Sequence, residues 1–328
     1  MRLCRSGAPA GHCSPVRGRG RHGVDAKNAG ADKPTRPART NSPYSHTKEF
    51  AVTSIVDNSY QLGYFRDNDD SLRRLKAQAS IVLDKEIEHL RAAGLADHQH
   101  VLDIGCGPGI ISTAIAMRTA PCRLVAGDVN DISIAETRRQ FDTNGIANAE
   151  VKLLNVYDES LAELGKFDFV YSRLLFQHLS DPIRAMANVR ASLAEKGRFC
   201  ICDIDDSWLS IAPDTPEFGA FIARAGQAQA QRGGDRHVGS KLASYMKQSG
   251  FADIQSSVLM VTTDMIGKDA FCDLVFGYKL ECIPDAELAT ARQELDQIRE
   301  RIFAPEGWAA VGVFFVSGQL AGTAAPGA

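Results

Sequence analysis

The sequence predicts an α/β fold in which a mostly parallel, doubly wound sheet is covered by helices on both faces. Short apolar segments alternate with helical segments between residues 100 and 204, and this order produces parallel strands joined by right-handed helical crossovers. The first strand runs directly into a glycine-rich turn that opens a helix. A long amphipathic segment precedes that strand, so we expect a helix before the sheet.

Each element follows from its local pattern. From Ser71 to Leu90 apolar residues recur at helical spacing, and Gly94 stands where a C-terminal cap belongs. The alternating region predicts strands at 100–104, 122–127, 149–155, 167–171 and 198–204, and helices at 109–118, 131–144, 159–164 and 181–194. The later region predicts helices at 214–232, 237–249, 268–282 and 285–303, and strands at 252–262 and 309–317. We interpret the late helices as a cover over a substrate site.

Residues 1–47 differ from the rest of the chain in composition. They carry nine Lys and Arg against two Asp and few large apolar side chains, so we expect a disordered basic tail. A targeting or anion-binding arm and an inert extension both remain open interpretations. The predicted division continues with a helical lid at 48–98, a core at 99–263 with inserted helices at 206–249, and a helical insertion with the final core strand at 264–328.

Charge and apolar content limit the class of protein. Beyond the tail, 28 basic residues face 38 acidic ones, and such a surface repels phosphate backbones, which disfavours a nucleic-acid substrate. The sequence has neither a run of eighteen apolar residues nor the apolar stretch of a secretory signal. Its eight cysteines lack the spacing of a disulfide framework or a Cys-x-x-Cys pair. These patterns predict a cytoplasmic protein without a membrane partner.

The strongest motif is the segment from His100 to Gly109, an apolar strand that ends in a glycine-rich turn. Glycines there let the main chain approach a ligand closely, and the following helix offers free N–H groups. A nicotinamide or flavin dinucleotide site is the rival interpretation, but its fingerprint requires a glycine where this chain has Ile110. Asp103 would also repel a pyrophosphate, whereas it would favour a ligand that bears an ammonium and a sulfonium.

Residues 101–109 closely resemble the first motif of the class I S-adenosylmethionine-dependent methyltransferases. The resemblance extends over roughly residues 58–262. It implies a Rossmann-like, doubly wound, seven-stranded, mostly parallel sheet whose last strand is antiparallel, together with a helical lid. It also implies S-adenosylmethionine as the cofactor. Asp128 closes the second strand 23 residues after Gly105, where the family uses an acid to accept both ribose hydroxyls.

The same resemblance implies the other cofactor residues. Asn155 and Val156 match the adenine-binding position, where Asp is commoner than Asn, and Ser172 and Arg173 match the place that faces the methionine ammonium. The full expected set is Tyr60, Gln78, Asp103, Gly105, Cys106, Gly107, Gly109, Asp128, Val129, Asn155, Val156, Ser172 and Arg173. Tyr60 and Gln78 belong to a lid typical of methyltransferases of natural-product pathways. Alternatively, Tyr60 is only a packing residue and Gln78 only caps a helix face.

Methyl transfer needs mainly alignment of a nucleophile and exclusion of water, to which a general base can add. His178, in the loop after the fourth strand, is the first candidate base, and structural support is its alternative role. His237 is the second candidate, or else a solvated residue at a helix start. Asp205 shares a strand face with Asp203, so one of them is a candidate base, amine-orienting group or cation ligand; solvated loop acids are the alternative.

The acceptor is expected to be a small molecule, a secondary metabolite methylated on oxygen, nitrogen or carbon. Ser172-Arg173-Leu174-Leu175 replaces the Asn-Pro-Pro-Tyr motif of base and glutamine methyltransferases, and it lacks the acids of metal-dependent catechol methyltransferases, so no metal is predicted. The cover supplies aromatic residues for an apolar or aromatic acceptor pocket, and the alternative is that they are core: Trp208, Phe218, Phe221, Phe271, Phe276, Tyr278 and Trp308. A non-catalytic partner subunit and an oxidoreductase remain alternatives, and a homo-oligomer is left open.

Overall fold

A computed structural model describes residue 76 and residues 82–121 and 123–321. The predicted tail, most of the predicted lid, Tyr60 and Gln78 lie outside the described residues. The described part forms a seven-stranded sheet. Its strands are β1 (His100–Ile104), β2 (Arg123–Asp128), β3 (Ala149–Leu153), β4 (Phe167–Arg173), β5 (Leu193–Ala212), β6 (Phe251–Thr262) and β7 (Trp308–Leu320).

The strand order is β3-β2-β1-β4-β5-β7-β6. The pairs β1–β2, β2–β3, β1–β4 and β4–β5 are parallel. Strand β7 lies between β5 and β6 and is antiparallel to both. The predicted doubly wound sheet with an antiparallel last strand is therefore confirmed.

Helices cover the sheet and close one end of it. The described helices are α1 (Leu83–Ala92), α2 (Ile110–Thr119), α3 (Asp131–Thr143), α4 (Pro182–Ser192), α5 (Pro216–Ala230), α6 (Leu242–Gln248), α7 (Thr263–Ile266), α8 (Lys268–Cys282) and α9 (Asp285–Phe303). Side chains of Asn130 and Asp181 cap the first turns of α3 and α4. None of the helices in the described ranges is long and apolar enough to cross a membrane.

Three apolar clusters hold these layers together. One lies on each face of the parallel strands, where Phe199 and Tyr171 are buried on opposite sides. The third cluster joins α5, α8 and α9 to the far ends of β5 and β7, and it contains Phe221, Phe271 and Phe276. Because these three rings have no exposed surface, the late helices form a packed subcore of their own.

Strand β5 is far longer than the predicted 198–204 segment. It pairs with β7 from Arg198 opposite Gln319 to Ala212 opposite Trp308, so the antiparallel partner extends it beyond the parallel part of the sheet. The pairing register shifts between Ile204 and Leu209. A bulge of this kind breaks the alternation of side chains between the two faces of a strand, and it falls within β5, next to three acidic residues, where the parallel pairing with β4 has ended.

Helix α1 brings a buried acid to the sheet. Glu86 is 1% exposed, and its carboxylate accepts hydrogen bonds from the Tyr171 hydroxyl and from Arg173 Nε, the latter at 2.9 Å. Tyr171 and Arg173 belong to the end of β4, so this contact attaches the helix before the sheet to the strand end that precedes the loop bearing His178.

Replacing Glu86 with alanine is expected to lower the free energy of unfolding by about 3 kcal/mol, because the desolvated Arg173 guanidinium loses its carboxylate. Urea denaturation measures the change. Glu88→Ala is the matched control, since Glu88 is 65% exposed and pairs only with the surface residue Lys85, an interaction worth less than about 1 kcal/mol. Equal losses in the two variants would contradict a stabilising role for the buried contact.

Candidate functional site

A cavity opens at the carboxyl ends of β1, β2, β4 and β5, the edge at which doubly wound sheets bind ligands. It encloses about 1670 Å³ of empty space, open solvent included. The turn after β1 lines one half, and the loop after β4 together with α8 lines the other.

The glycine turn places bare main chain against the cavity. Gly107 has a φ of 53° in the left-handed region, which glycine adopts without strain. A Cβ added there would meet no described atom within 4 Å, so the main chain faces open space. The N–H groups of Gly105 and Cys106 donate to the Gly127 carbonyl at 2.7 and 3.0 Å, which holds the turn against β2.

Asp128 stands at the end of β2, directly beside this turn. Its two carboxylate oxygens accept the N–H groups of Gly107 and Asn130, each at 2.9 Å. Burial raises the pKa of Asp128, although these backbone hydrogen bonds lower it. A carboxylate has about four lone-pair sites, so two of them remain for hydroxyl groups of a ligand in the cavity.

Asp103 contributes a second buried carboxyl to the same half of the cavity. Its Oδ2 accepts a hydrogen bond from Ser112 Oγ at 2.6 Å, and its Oδ1 has no hydrogen-bond partner within the described ranges. Burial raises the pKa of Asp103 to about 7, although the Ser112 hydrogen bond lowers it. A buried acceptor of this kind is costly unless a donor satisfies it, and an ammonium group in the cavity would do so.

The remaining expected cofactor residues fall into two groups. Cys106, Val129, Asn155, Val156 and Arg173 line the cavity together with the residues above. Gly109 and Ser172 do not line it.

Gly109 and Ser172 lie behind the residues that line the cavity. Gly109 begins α2 with a φ of 74°, and a Cβ there would lie 2.7 Å from Thr137. Ser172 is fully buried within β4. The structure therefore places them in support of the turn and the strand end rather than in contact with a ligand.

His178 is the only one of the three expected catalytic residues that the structure places on the cavity wall. It ends a single turn of 3-10 helix at Phe176–His178, and its Nδ1 lies 3.2 Å from the Tyr278 hydroxyl. Burial and, to a smaller extent, the positive charge of Arg236 together lower the pKa of His178 to about 3. The imidazole is therefore neutral at physiological pH, and its surroundings disfavour the protonated form.

Asp205 and His237 pair with each other outside the lining of the cavity. Asp205 Oδ1 lies 3.2 Å from His237 Nδ1, and the Asp205 carboxylate also accepts the N–H groups of Ser207 and Ser240 at 3.0 Å. Burial alone would raise the pKa of Asp205, but the hydrogen bonds from these serines hold it at about 2. The Asp205 carboxylate therefore joins two turns away from the cavity lining, and a catalytic role for Asp205 and His237 stays a prediction without support from this geometry.

Of the three acidic residues between 203 and 206, Asp206 is the one that lines the cavity. It is 4% exposed and accepts two hydrogen bonds from Arg236, from Nε at 2.8 Å and from Nη2 at 3.0 Å. The Lys279 ammonium lies 3.1 Å from its Oδ1. Although burial would raise the pKa of Asp206, the charges of Lys279 and Arg236 hold it well below its usual range. The expectation of solvated acids at this strand end was therefore wrong.

Sequence reasoning did not find the Asp206–Arg236–Lys279 cluster. Strand alternation favoured Asp203 with Asp205, but the bulge between Ile204 and Leu209 breaks that alternation. The acidic run at 203–206 was the only signal for Asp206, and nothing local distinguishes Lys279 from other helical lysines.

The predicted aromatic acceptor pocket was also wrong. Of the aromatic residues proposed for it, only Tyr278 lines the cavity, and Trp208 is 46% exposed with its ring against Phe314. Much of the cavity lining is aliphatic instead: Val82, Ile110, Ile111, Val261, Leu274, Val275, Val311 and Val313. The rings of Phe221, Phe271 and Phe276 belong to the core instead, because the late helices pack around an apolar interior of their own.

Comparisons with known proteins show the family to which the chain belongs. The model of a family described as a methyltransferase domain matches residues 64–256, more than half of the chain. The chain is 28% identical over 155 residues to an uncharacterized 37.1 kDa protein in a transposon of Streptomyces fradiae, covering 47% of this chain and 44% of that protein. It is 35% identical over 95 residues to a ubiquinone biosynthesis O-methyltransferase of Neisseria meningitidis, covering 28% and 39%.

The chain thus spans less than half the length of these curated relatives. Phosphoethanolamine N-methyltransferase 2 of Haemonchus contortus, solved with S-adenosyl-L-methionine, superposes with a TM-score of 0.48 at 16% identity, covering 77% of this chain and 58% of that one. The family assignment comes from the match to the family model and not from this likeness. On that match, the chain belongs to the methyltransferase-domain family, the class I S-adenosylmethionine-dependent methyltransferases.

Proposed function

We propose that this chain transfers a methyl group from S-adenosylmethionine to a small-molecule acceptor bound in the same cavity. One observation carries the proposal: a single cavity joins the Gly107 turn and Asp128 to a half-enclosed space lined by His178 and aliphatic side chains. A donor and an acceptor bound in these two halves would meet without intervening water, and such alignment supplies most of what methyl transfer requires.

The residues of the first half fit the cofactor. Asp128 retains acceptor sites for the ribose hydroxyls, and the unpartnered Oδ1 of Asp103 would accept the ammonium of the methionine part. Asn155 and Val156 line the region expected for the adenine. When bound, the cofactor supplies a methyl group on a sulfonium, which is already electrophilic.

We propose that His178 orients the acceptor and does not act as a general base that keeps the proton. With its pKa lowered to about 3, a neutral imidazole can accept a hydrogen bond from the nucleophile of the acceptor and orient it, but burial and Arg236 oppose its protonation. The Nδ1 of His178 lies 3.2 Å from the Tyr278 hydroxyl, so Tyr278 helps to fix the orientation and the tautomer of the imidazole.

A secondary metabolite is the acceptor class that we favour. Ser172-Arg173-Leu174 stands at the end of β4 in place of the motif of enzymes that methylate bases or glutamine amides. The five cysteines within the described ranges are buried free thiols. Free thiols are usual in a reducing compartment, which supports a cytoplasmic location. The oligomeric state is left open.

Calorimetry with S-adenosylmethionine and with NADH tests the donor, and incubation with methyl-labelled cofactor and a cell extract of the source organism tests the transfer. We expect micromolar binding of S-adenosylmethionine and a labelled small molecule in the mass spectrum. Binding of NADH alone would favour an oxidoreductase. Cofactor binding without any labelled product would favour a non-catalytic partner subunit.

His178→Ala is expected to reduce turnover at least about tenfold while the affinity for the cofactor stays nearly unchanged, because only the orientation of the acceptor is lost. Steady-state kinetics and calorimetry on the same preparation separate the two quantities. His98→Ala is the control, since His98 is exposed on the loop before β1. Full activity of the His178 variant, or a tenfold loss in His237→Ala instead, would remove His178 from this role.

A further inference from the structure

The acceptor half of the cavity contains more buried positive charge than negative charge. Arg236 and Lys279 are 6% and 2% exposed, both line the cavity, and the Asp206 carboxylate lies between them. Buried ions are costly unless they are paired. Burial and the charge of Arg236 lower the pKa of Lys279 to about 8, so its ammonium form still predominates at neutral pH. Within the described residues, two cations against one carboxylate therefore leave positive charge in excess at this end of the cavity.

The hydrogen bonds of the cluster show where this excess lies. Arg236 directs Nε and Nη2 to Asp206 and Nη1 to the side-chain oxygens of Gln177 and Gln229, at 3.0 and 3.2 Å. Lys279 donates to the Val275 carbonyl at 3.2 Å and lies 3.1 Å from Asp206. An ammonium has three N–H donors, so one N–H of Lys279 has no acceptor within the described part of the chain.

Among the described residues, the neighbouring titratable groups balance this charge only in part. His178 is neutral, and Tyr278 presents its ring face to the Arg236 guanidinium at 5.7 Å. Asp203 accepts the N–H groups of Gln177 and Ile204 and does not line the cavity. Burial raises the pKa of Asp203 to about 7, so its carboxyl is partly protonated at neutral pH.

We infer that the acceptor of the proposed methyl transfer is an anion, and that it places a carboxylate, phosphate or phenolate oxygen against the Lys279 ammonium beside Tyr278. The inference rests on the proposed function for the meaning of this half of the cavity. An anionic oxygen would complete the donors of Lys279 and neutralise the excess charge, while the aliphatic lining would pack against the carbon skeleton of the acceptor.

Benzoate and benzamide are suitable probes because they have nearly the same shape and differ in charge. Both are titrated by ligand-observed NMR into the full-length protein saturated with S-adenosylhomocysteine. We expect benzoate to bind at least about tenfold more tightly than benzamide, a difference of about 1.4 kcal/mol. Lys279→Met should abolish this preference, and the exposed control Lys247→Met should retain it.

Lys279→Met is expected to remain folded, because Asp206 keeps both hydrogen bonds from Arg236; a melting curve verifies this. Lys279→Arg, which retains the charge, should keep a preference for benzoate. Equal binding of the two probes by the wild type, or binding of neither, would overturn the inference.

The cofactor also carries a carboxylate, and a separate titration distinguishes this second source of an anion. If Lys279→Met weakens S-adenosylhomocysteine about tenfold and leaves benzoate binding unchanged, the lysine serves the cofactor and the inference is overturned. Failure of the wild type to bind S-adenosylhomocysteine would overturn the proposed function itself. Cofactor binding without a benzoate preference would overturn the anionic acceptor alone.

Discussion

Replacing Asp128 with alanine is expected to weaken S-adenosylmethionine binding roughly 100-fold. The carboxylate would accept two ribose hydroxyls, and two hydrogen bonds to a charged group contribute about 3 kcal/mol, which corresponds to about two powers of ten in affinity. The variant also removes the hydrogen bond that Gly107 donates to Asp128, so the glycine turn loses part of its support. Calorimetry with the cofactor measures the change.

Two further variants sharpen this test. Asp131→Ala removes an exposed acid three residues away, at the start of α3, and should bind the cofactor as the wild type does. Asp128→Asn keeps an acceptor oxygen without the charge and should lie between the two. Unaltered affinity in Asp128→Ala would refute the assignment of this half of the cavity to the cofactor.

The largest effect on stability is expected from Asp206→Asn, with a loss of about 3–5 kcal/mol in the free energy of unfolding. The substitution conserves shape but leaves two buried cations, Arg236 and Lys279, facing a neutral amide. Urea denaturation at neutral pH measures the loss. Adding Lys279→Met should restore part of it, because one of the two uncompensated charges is then removed.

This effect has a defined dependence on pH. The pKa of Asp206 is depressed in the folded protein, so its contribution to stability is present above the ordinary value of 3.8 and is lost as the pH falls below it. The difference between the wild type and Asp206→Asn should therefore shrink in acid. Asp253→Asn is the control, because Asp253 is 56% exposed and its pair with Arg198 is worth less than about 1 kcal/mol. Equal losses in the two variants would contradict the role of burial.

Helix α1 shows how far a local pattern predicts tertiary contacts. Its apolar spacing predicted a helix packed on the sheet, and Ile87 and Leu90 are buried as expected. The same face also buries Glu86, which no apolar pattern reveals. A charged residue on an inner face becomes intelligible only when its partners are known, and Arg173 lies 87 positions further along the chain.

The sequence alone determined the alternation of strands and helices in the parallel region, the glycine turn and the acid at Asp128. These features depend on short-range chemistry: strand periodicity, the left-handed conformations that glycine permits, and the distance from one strand end to the next. The tertiary structure determined which residues line the acceptor half of the cavity. Asp206, Arg236 and Lys279 come from three distant segments, and the bulge in β5 determines which acid faces the cavity. Burial then sets their charges, because the energy of an ion depends on its surroundings in space and not on its neighbours in sequence.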